Sequence, residues 1–381
     1  MKRLWHLVWL CPLAVFGYLC VRADYDARYV MRVLWHRGSS TGDYRWKASS
    51  VLAASAHPRP WRETPDCPRI TAAMTAAAGA PMESYLTAGG ALGFVVIHDG
   101  ALVCEWYGNG GAKDAPAAAF SVTKTLTSLL LARAVEVHAT GGLDDAITTY
   151  LPELGSRDRR FEAVTLASLV DMRSGIAFDG TTGFPWVTGD DTRVYYASDL
   201  AASIVRYPRI AAAPGEFLYN DYAPNLNGLA IERALGRSAI DAVAQPVWDE
   251  LGAESPALWS VDGHGFPWFE SGLVVTARDF ARVGQLILDG GKVGDRVVAA
   301  AWVARSLEPA AHATIFGETS LGYRNGWWVL GDHTLVAMGK HGQVMVVSLA
   351  TRTVIVRFGL DGYDETNVSI ARRLARVADQ L

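Results

Sequence analysis

Phe120-Ser121-Val122-Thr123-Lys124, followed by the apolar run Leu126, Leu129, Leu130 and Leu131, sets a hydroxyl and an amine three residues apart at the start of a helix. Residues i and i+3 share one helical face, so the Lys124 amine reaches the Ser121 hydroxyl. First-turn amides and the helix dipole favour negative charge developing there. Such a pair is a serine nucleophile with its own base. Taken alone, the string also fits a capped helix with a solvated lysine, and the rest of the chain must decide.

Upstream of Ser121, Leu92 to His98 and Ala101 to Tyr107 are two strand-like runs separated by Asp99-Gly100, a strong hairpin signal. Downstream, 140–320 alternates short helical patterns with Gly- and Pro-marked turns, among them Leu200 to Arg206, Leu226 to Leu235 and Ala277 to Leu288. Strand character returns at Gly326 to Leu330, Thr334 to Met338, Gln343 to Ser348 and Thr353 to Phe358. An amphipathic helix from Glu365 to Gln380 ends the chain. The expected fold class is therefore α+β. An antiparallel sheet is built from both chain ends (66–120 and 321–381), and a mainly helical domain (121–320) is inserted between them. The cleft at their junction is the natural ligand site.

The chain has 381 residues, half of them hydrophobic, enough for one large or two intimately packed domains. Its 35 Lys and Arg against 39 Asp and Glu leave a net charge of −4, with no basic stripe, which excludes nucleic acid as a partner. No Cys-x-x-Cys pair or His-Glu-x-x-His helix is present among the four cysteines and nine histidines, so no metal site and no cofactor is expected. Cys67 and Cys104 allow one disulfide. Lys2 and Arg3 precede the largely apolar stretch Leu4 to Cys20, so residues 1–21 read as an export signal or a membrane anchor, retention being favoured. This places the body outside the inner membrane, in the periplasm. Residues 22–65, irregular and rich in Arg, Ser and Pro, read as a linker or wrapping arm.

A serine nucleophile needs a proton route and donors for the oxyanion of a tetrahedral intermediate. Lys124 serves as base if burial and neighbouring positive charge lower its pKa. Tyr219, after the Pro214-Gly215 turn, offers a phenol to shuttle protons. Lys340-His341-Gly342-Gln343, just before the strand Val344 to Ser348, supplies a cation for a substrate carboxylate or for tuning Lys124 and Tyr219. Its glycine permits close backbone approach, and the Gln343 amide can join the Ser121 amide as the oxyanion hole. Trp186, in a Gly- and Pro-marked loop, and Trp327 or Trp328, on a late strand, are candidates for a substrate wall. Gly38-Ser39-Ser40-Thr41-Gly42 matches Gly-x-Ser-x-Gly but lacks the strand and helix that a nucleophile elbow requires.

The order Ser-x-x-Lys, Tyr after Pro-Gly, then Lys/His-x-Gly before a late strand resembles the serine β-lactamase and penicillin-binding-protein superfamily, in its class C-like branch. Further phrases agree: Gly141-Gly142-Leu143-Asp144-Asp145 leading to Tyr150-Leu151-Pro152-Glu153-Leu154, then Met172-Arg173-Ser174-Gly175, and Thr276-Ala277-Arg278-Asp279. Leu251-Gly252-Ala253-Glu254 with Trp259, and Gly339 to Gln343, look like the 6-aminohexanoate-dimer hydrolase and carboxylesterase group. The resemblance implies a β-lactamase-like fold and hydrolysis of a small-molecule amide or ester through an acyl-enzyme on Ser121, with Lys124 and Tyr219 moving protons. One position departs. Where the family commonly reads Tyr-x-Asn, this chain has Tyr219-Asn220-Asp221, and an anionic Asp221 cannot donate a hydrogen bond to a substrate carbonyl. That weighs against β-lactamase or D-alanyl-D-alanine peptidase activity and favours substrates with a nearby amine. A non-catalytic sensor keeping the fold is the remaining alternative.

Overall fold

A computed structural model describes residues 2–381 apart from 181–185, 298, 316, 317 and 364. Its largest sheet has nine strands, in the order Ala311–Ile315, Glu318–Arg324, Trp327–Leu330, Thr334–Gly339, Gln343–Ser348, Thr353–Gly359, Ala91–His98, Ala101–Tyr107 and Arg62–Glu63. All neighbours are antiparallel except the last pair, so the sheet is α+β in type rather than doubly wound. The hairpin at Asp99-Gly100 forms as expected. Both residues adopt positive φ (45° and 70°), and His98 pairs directly with Ala101. Thr353–Gly359 joins Ala91–His98, which closes the two chain ends into one sheet. Gln343–Ser348 and Thr353–Gly359 are buried at every residue, as strands covered on both faces must be. Helices Ala277–Leu288 and Asn367–Ala378 pack on them.

A second sheet of four short strands, in the order Ala48–Leu52, Ala257–Val261, Leu273–Val275 and Ala117–Ala118, lies next in sequence to the nucleophile turn. Its first strand corrects the reading of 22–65 as irregular. Ala-Ser-Ser-Val-Leu has no alternation to announce a strand, yet its backbone pairs with Ala257–Val261. The same region holds the helix Ala27–His36, capped by Asp26, whose carboxylate accepts from the Tyr29 amide at 2.8 Å; Tyr29, Val30 and Val33 are buried. The signal was a cap followed by apolar i, i+1 and i+4 positions, masked by the arginines between them. Likewise, the strands Ala311–Ile315 and Glu318–Arg324 extend the large sheet into a stretch expected to be helical, because edge strands this polar are made by pairing with a neighbour.

The N-terminal segment forms the helix Lys2–Ala23. Among the described residues no helix is long and apolar enough to cross a membrane, so a membrane-spanning segment at 4–20 is not supported. Leu19 and Ala23 are buried in a small cluster with Tyr29, Val30, Val33, Val187 and Tyr196, so that face packs on the protein's own body. Cys67 and Cys104 form a disulfide that ties the start of the helix Cys67–Ala78 to the strand Ala101–Tyr107.

Helix Tyr222–Leu235 lies against the segment 269–270, and Gly228 makes the approach possible. A Cβ there would stand 2.0 Å from the ring of Phe269, which is fully buried. Gly228→Ala should therefore lower the thermal midpoint, with overpacking of about 1–3 kcal/mol exceeding the helix-propensity gain. Gly142→Ala, which adds a Cβ to open space, should leave the midpoint within about a degree of the parent. Thermal unfolding followed by circular dichroism checks both, and equal midpoints for the two variants would contradict the packing described.

Candidate active site

Ser121 sits in a single 3-10 turn, Phe120–Val122, that runs into the helix Thr123–Glu136. Phe120 is held at φ 48°, a left-handed conformation costly for a non-glycine residue, and such strain persists only where the surroundings impose it. Here they do. Ala119 donates its amide to Leu273 O at 2.8 Å, and a Cβ on Gly339 would stand 2.6 Å from Ala119 O and 3.0 Å from Ser121 N. The nucleophile turn is thus clamped between the small sheet and the edge of the strand Thr334–Gly339. Ser121 alone in the turn retains partial exposure, while Phe120, Val122, Thr123 and Lys124 are buried.

The helix is stitched to the chain that crosses its start. The Thr127 hydroxyl donates to Phe269 O (2.7 Å), and Thr123 Oγ1 accepts from Leu273 N (3.2 Å). Lys124 Nζ donates to Glu270 O (3.1 Å) and to Ser121 Oγ (2.9 Å), so the two residues of the opening motif do meet. The ammonium also lies 2.7 Å from Asp221 Oδ1 and 4.9 Å from the centre of the Tyr219 ring. Tyr219 is positioned from behind by Trp328, stacked at 5.5 Å, and by Tyr323, edge-on at 6.0 Å.

Asp221 begins the helix Tyr222–Leu235 yet makes no capping bond. Asn220 performs that task, its side-chain oxygen accepting from Ala223 N at 2.8 Å while its amide donates to Leu218 O. This settles which of the two adjacent residues faces the site: Asn220 is committed to the backbone, and Asp221 is released toward Lys124. Asn225, one turn on, donates to Asp221 O (2.7 Å) and accepts from Phe269 N (2.9 Å), which links the two segments on either side of the ammonium.

Charge in the cleft differs from the sequence expectation. Burial is the largest influence on Lys124 and pulls its pKa down, but Asp221, Tyr219 and Glu270 together outweigh it and hold the amine above its ordinary range. Lys124 is an ammonium at neutral pH, not the neutral base foreseen, because its immediate partner is an anion where a cation was expected. For Asp221, burial pushes the carboxyl up, but Lys124 and then Lys340 hold it below the usual carboxylate value. Asp191 is raised by burial and by Asp221. Tyr219 is also raised, chiefly by burial, with Lys124 and a hydrogen bond to Ser121 opposing, so it is a phenol at neutral pH. Asp221 Oδ1 faces the Lys124 ammonium in a close ion pair and has no further partner.

Glu270 and Lys47 were not visible as site residues in the sequence. Glu270 is 2% exposed, its carboxyl pushed up to about 7 by burial and by Asp221. Lys47, from the N-terminal arm, places its amine 3.8 Å from the Tyr195 ring centre and 4.0 Å from that of Trp268, and burial pulls it down to about 8. Only folding brings the arm there, and no local pattern marks it.

Lys340, His341 and Gly342 form the turn between Thr334–Gly339 and Gln343–Ser348. Lys340 Nζ lies 3.3 Å from Asp191 Oδ2 and is half exposed. His341 meets Ser39 Oγ at 3.3 Å through Nε2 and packs edge-on against Phe120. Gly342 has φ 74°, and a Cβ would stand 2.1 Å from the Arg357 guanidinium, so its absence of side chain serves the turn. The Gln343 side chain is wholly buried, its amide donating to Gly359 O and accepting from Gly359 N, which leaves only its main chain for a substrate. Trp327 is fully buried against Trp302 and is core rather than a substrate wall. Alternation along the strand turns Trp328 to the opposite face, toward Tyr219. Trp186 borders 181–185, and its side chain lies outside the described residues.

Residues 74–380 match the Beta-lactamase family. The chain is 28% identical over 290 residues to a 6-aminohexanoate-dimer hydrolase of Paenarthrobacter ureafaciens, covering 69% of this chain and 71% of that one. Among solved structures, a Bacillus anthracis protein provisionally assigned as a 6-aminohexanoate-dimer hydrolase superposes with a TM-score of 0.78 at 22% identity, over 89% of this chain and 92% of that one. EstCE1, described as a hydrolase with promiscuous acyltransferase activity, superposes with a TM-score of 0.62 at 15% identity, over 82% and 98%. With Ser121, Lys124 and Tyr219 gathered at the mouth of this fold, the chain belongs to the Beta-lactamase family and is a serine hydrolase.

Proposed function

We propose that the enzyme cleaves small linear amides or esters through an acyl-enzyme on Ser121, and that it favours substrates carrying a positive charge near the scissile bond. The observation that carries the reading is the contact of Ser121 Oγ with Lys124 Nζ at 2.9 Å, in a cleft whose other ionisable walls are Asp221, the Asp191–Lys340 pair and the buried Glu270. Ser121 Oγ attacks the carbonyl carbon as its proton leaves toward Lys124, the carbonyl π pair moves to oxygen, and the Tyr219 phenol gives a proton to the departing amine or alcohol. Water then hydrolyses the ester on Ser121. The Ser121 and Gln343 main-chain N–H groups are the candidate oxyanion donors: Gly339 abuts Ser121 N, and Gln343 pairs with Gly339 across the turn.

The P. ureafaciens relative is named for hydrolysis of a 6-aminohexanoate dimer, and the carboxylates around Lys124 here suit a substrate that carries an amine. Asp221, a pure acceptor when ionised, has no N–H to offer a β-lactam side-chain carbonyl. An exported setting for the enzyme is supported by the Cys67–Cys104 disulfide, since such bonds persist in oxidising compartments.

Ser121→Ala should lower turnover of p-nitrophenyl esters and linear amides by about a thousandfold or more. It should also abolish the acyl adduct seen by intact-mass spectrometry on the parent; an adduct that persists in the variant would reject Ser121 as nucleophile. For charge preference, a linear amide with a free ammonium near the scissile bond should exceed its N-acetyl analogue in kcat/KM by about tenfold, the gap narrowing as salt is raised. Equal rates for the pair would reject the preference while leaving the serine mechanism standing.

A further inference from the structure

A problem in proton bookkeeping points beyond the Ser-Lys-Tyr set. Ser121 must lose a proton as it attacks, yet Lys124 is an ammonium and Tyr219 a phenol, so neither accepts that proton in the state the free cleft imposes. Following contacts outward from Ser121 Oγ, the first anionic oxygen reached is Asp221 Oδ1: 2.9 Å to Lys124 Nζ, then 2.7 Å onward. That oxygen is buried and has no partner besides the Lys124 ammonium, so a proton leaving Nζ meets a carboxylate lone pair. The helix it begins does not use it, because Asn220 has taken over the cap.

We propose that Asp221 completes a Ser121–Lys124–Asp221 relay, in which the carboxylate, acting through Lys124, is the terminal acceptor of the nucleophile's proton. The inference rests on the acyl-enzyme reading above. An Nζ proton passes first to Asp221 Oδ1 and frees the Nζ lone pair; as the Ser121 Oγ–carbon bond forms, the neutral amine takes the Oγ proton and the carbonyl π pair becomes the oxyanion. Lys124 is cationic before and after the step. One unit of negative charge moves from Asp221 to the oxyanion, and no net charge is created in the buried cleft. When the intermediate collapses, Tyr219 delivers its phenolic proton to the leaving group, and the proton held on Asp221 returns through Lys124 to the Tyr219 oxygen. An asparagine at this position could not accept the proton, so its lysine would have to be neutral to act as base. Asp221 is thus the residue that lets this chain work with a charged lysine.

The pH dependence of acylation separates the relay from a purely structural role. The groups facing Asp221 are Lys124, Lys340, Asp191, Glu270, Tyr219 and Tyr323. In the parent, the active form is the Lys124 ammonium with the Asp221 carboxylate. Its acid limb in kcat/KM is set by a carboxyl held low by Lys124 and Lys340 against the upward push of burial, and activity is lost only as pH falls through the acidic range. In Asp221→Asn, the base must be neutral Lys124, so activity should appear only as pH rises. The limb should move up by at least about two units, with kcat/KM down about a hundredfold at pH 7 and recovering toward pH 10.

The assay is single-turnover acylation by a p-nitrophenyl ester, read by intact mass from pH 4 to 10, with thermal unfolding confirming that the variant is folded. An unmoved limb in folded Asp221→Asn would overturn the relay, as would a folded variant inactive at every pH. If the parent itself forms no Ser121 adduct, it is the serine hydrolase mechanism that fails, a result distinct from either.

Discussion

A primary amine buried to 3% exposure has to be discharged or paired, and Lys124 is paired. The ion pair with Asp221 is the constraint on which the cleft depends. Removing either partner would leave the other charge uncompensated in a site of low dielectric, which costs far more than the net worth of the pair. The carbonyl of Glu270 and the hydroxyl of Ser121 take the remaining ammonium protons, so the lysine is fully engaged before any substrate arrives. Catalysis then proceeds by relocating an existing negative charge rather than by creating one, and that suits a site that excludes water.

The fold reads as the apparatus that keeps this pair in place. Three residues on the first turns of the helix Thr123–Glu136 tie it to 269–273, and Asn225 ties the Asp221 segment to the same stretch. The strand Thr334–Gly339 holds the nucleophile turn from the other side through a glycine that no larger residue could replace without displacing Ser121. Contacts of Lys124 and Asn225 gather the segments at 121, 221 and 270, and the large sheet brings the turn at 340 to them. The N-terminal arm takes part as well, with Lys47 caged beside Tyr195 and Trp268, and Ser39 bonded to His341.

Much of this was legible in the chain, for identifiable reasons. Asp99-Gly100 dictates its turn locally, and the strands around it alternate or run apolar, so the hairpin and the late strands could be read directly. The pairing of Ser121 with Lys124 follows from helical geometry alone. What could not be read is what folding decides. The strand Ala48–Leu52 exists because Ala257–Val261 offers it a partner. The charge state of Lys124 depends on which of two adjacent residues, Asn220 or Asp221, caps a helix. Trp327 and Trp328 are interchangeable on paper, and only the strand's phase shows that the first is core and the second supports Tyr219. Glu270 and Lys47 carry no motif because their significance is an environment assembled from four distant segments.

The ionisation of Lys124 is the point on which the account stands or falls. Enzyme labelled at the lysine ε-carbons, with the Lys124 resonance assigned by comparison with Lys124→Arg, reports that ionisation directly through the pH dependence of its carbon shift. The account predicts an ammonium throughout pH 6 to 10, with no titration of this carbon in that window. A Lys124 that titrates near pH 7, or is already neutral there, would contradict it and return the role of base to the lysine alone.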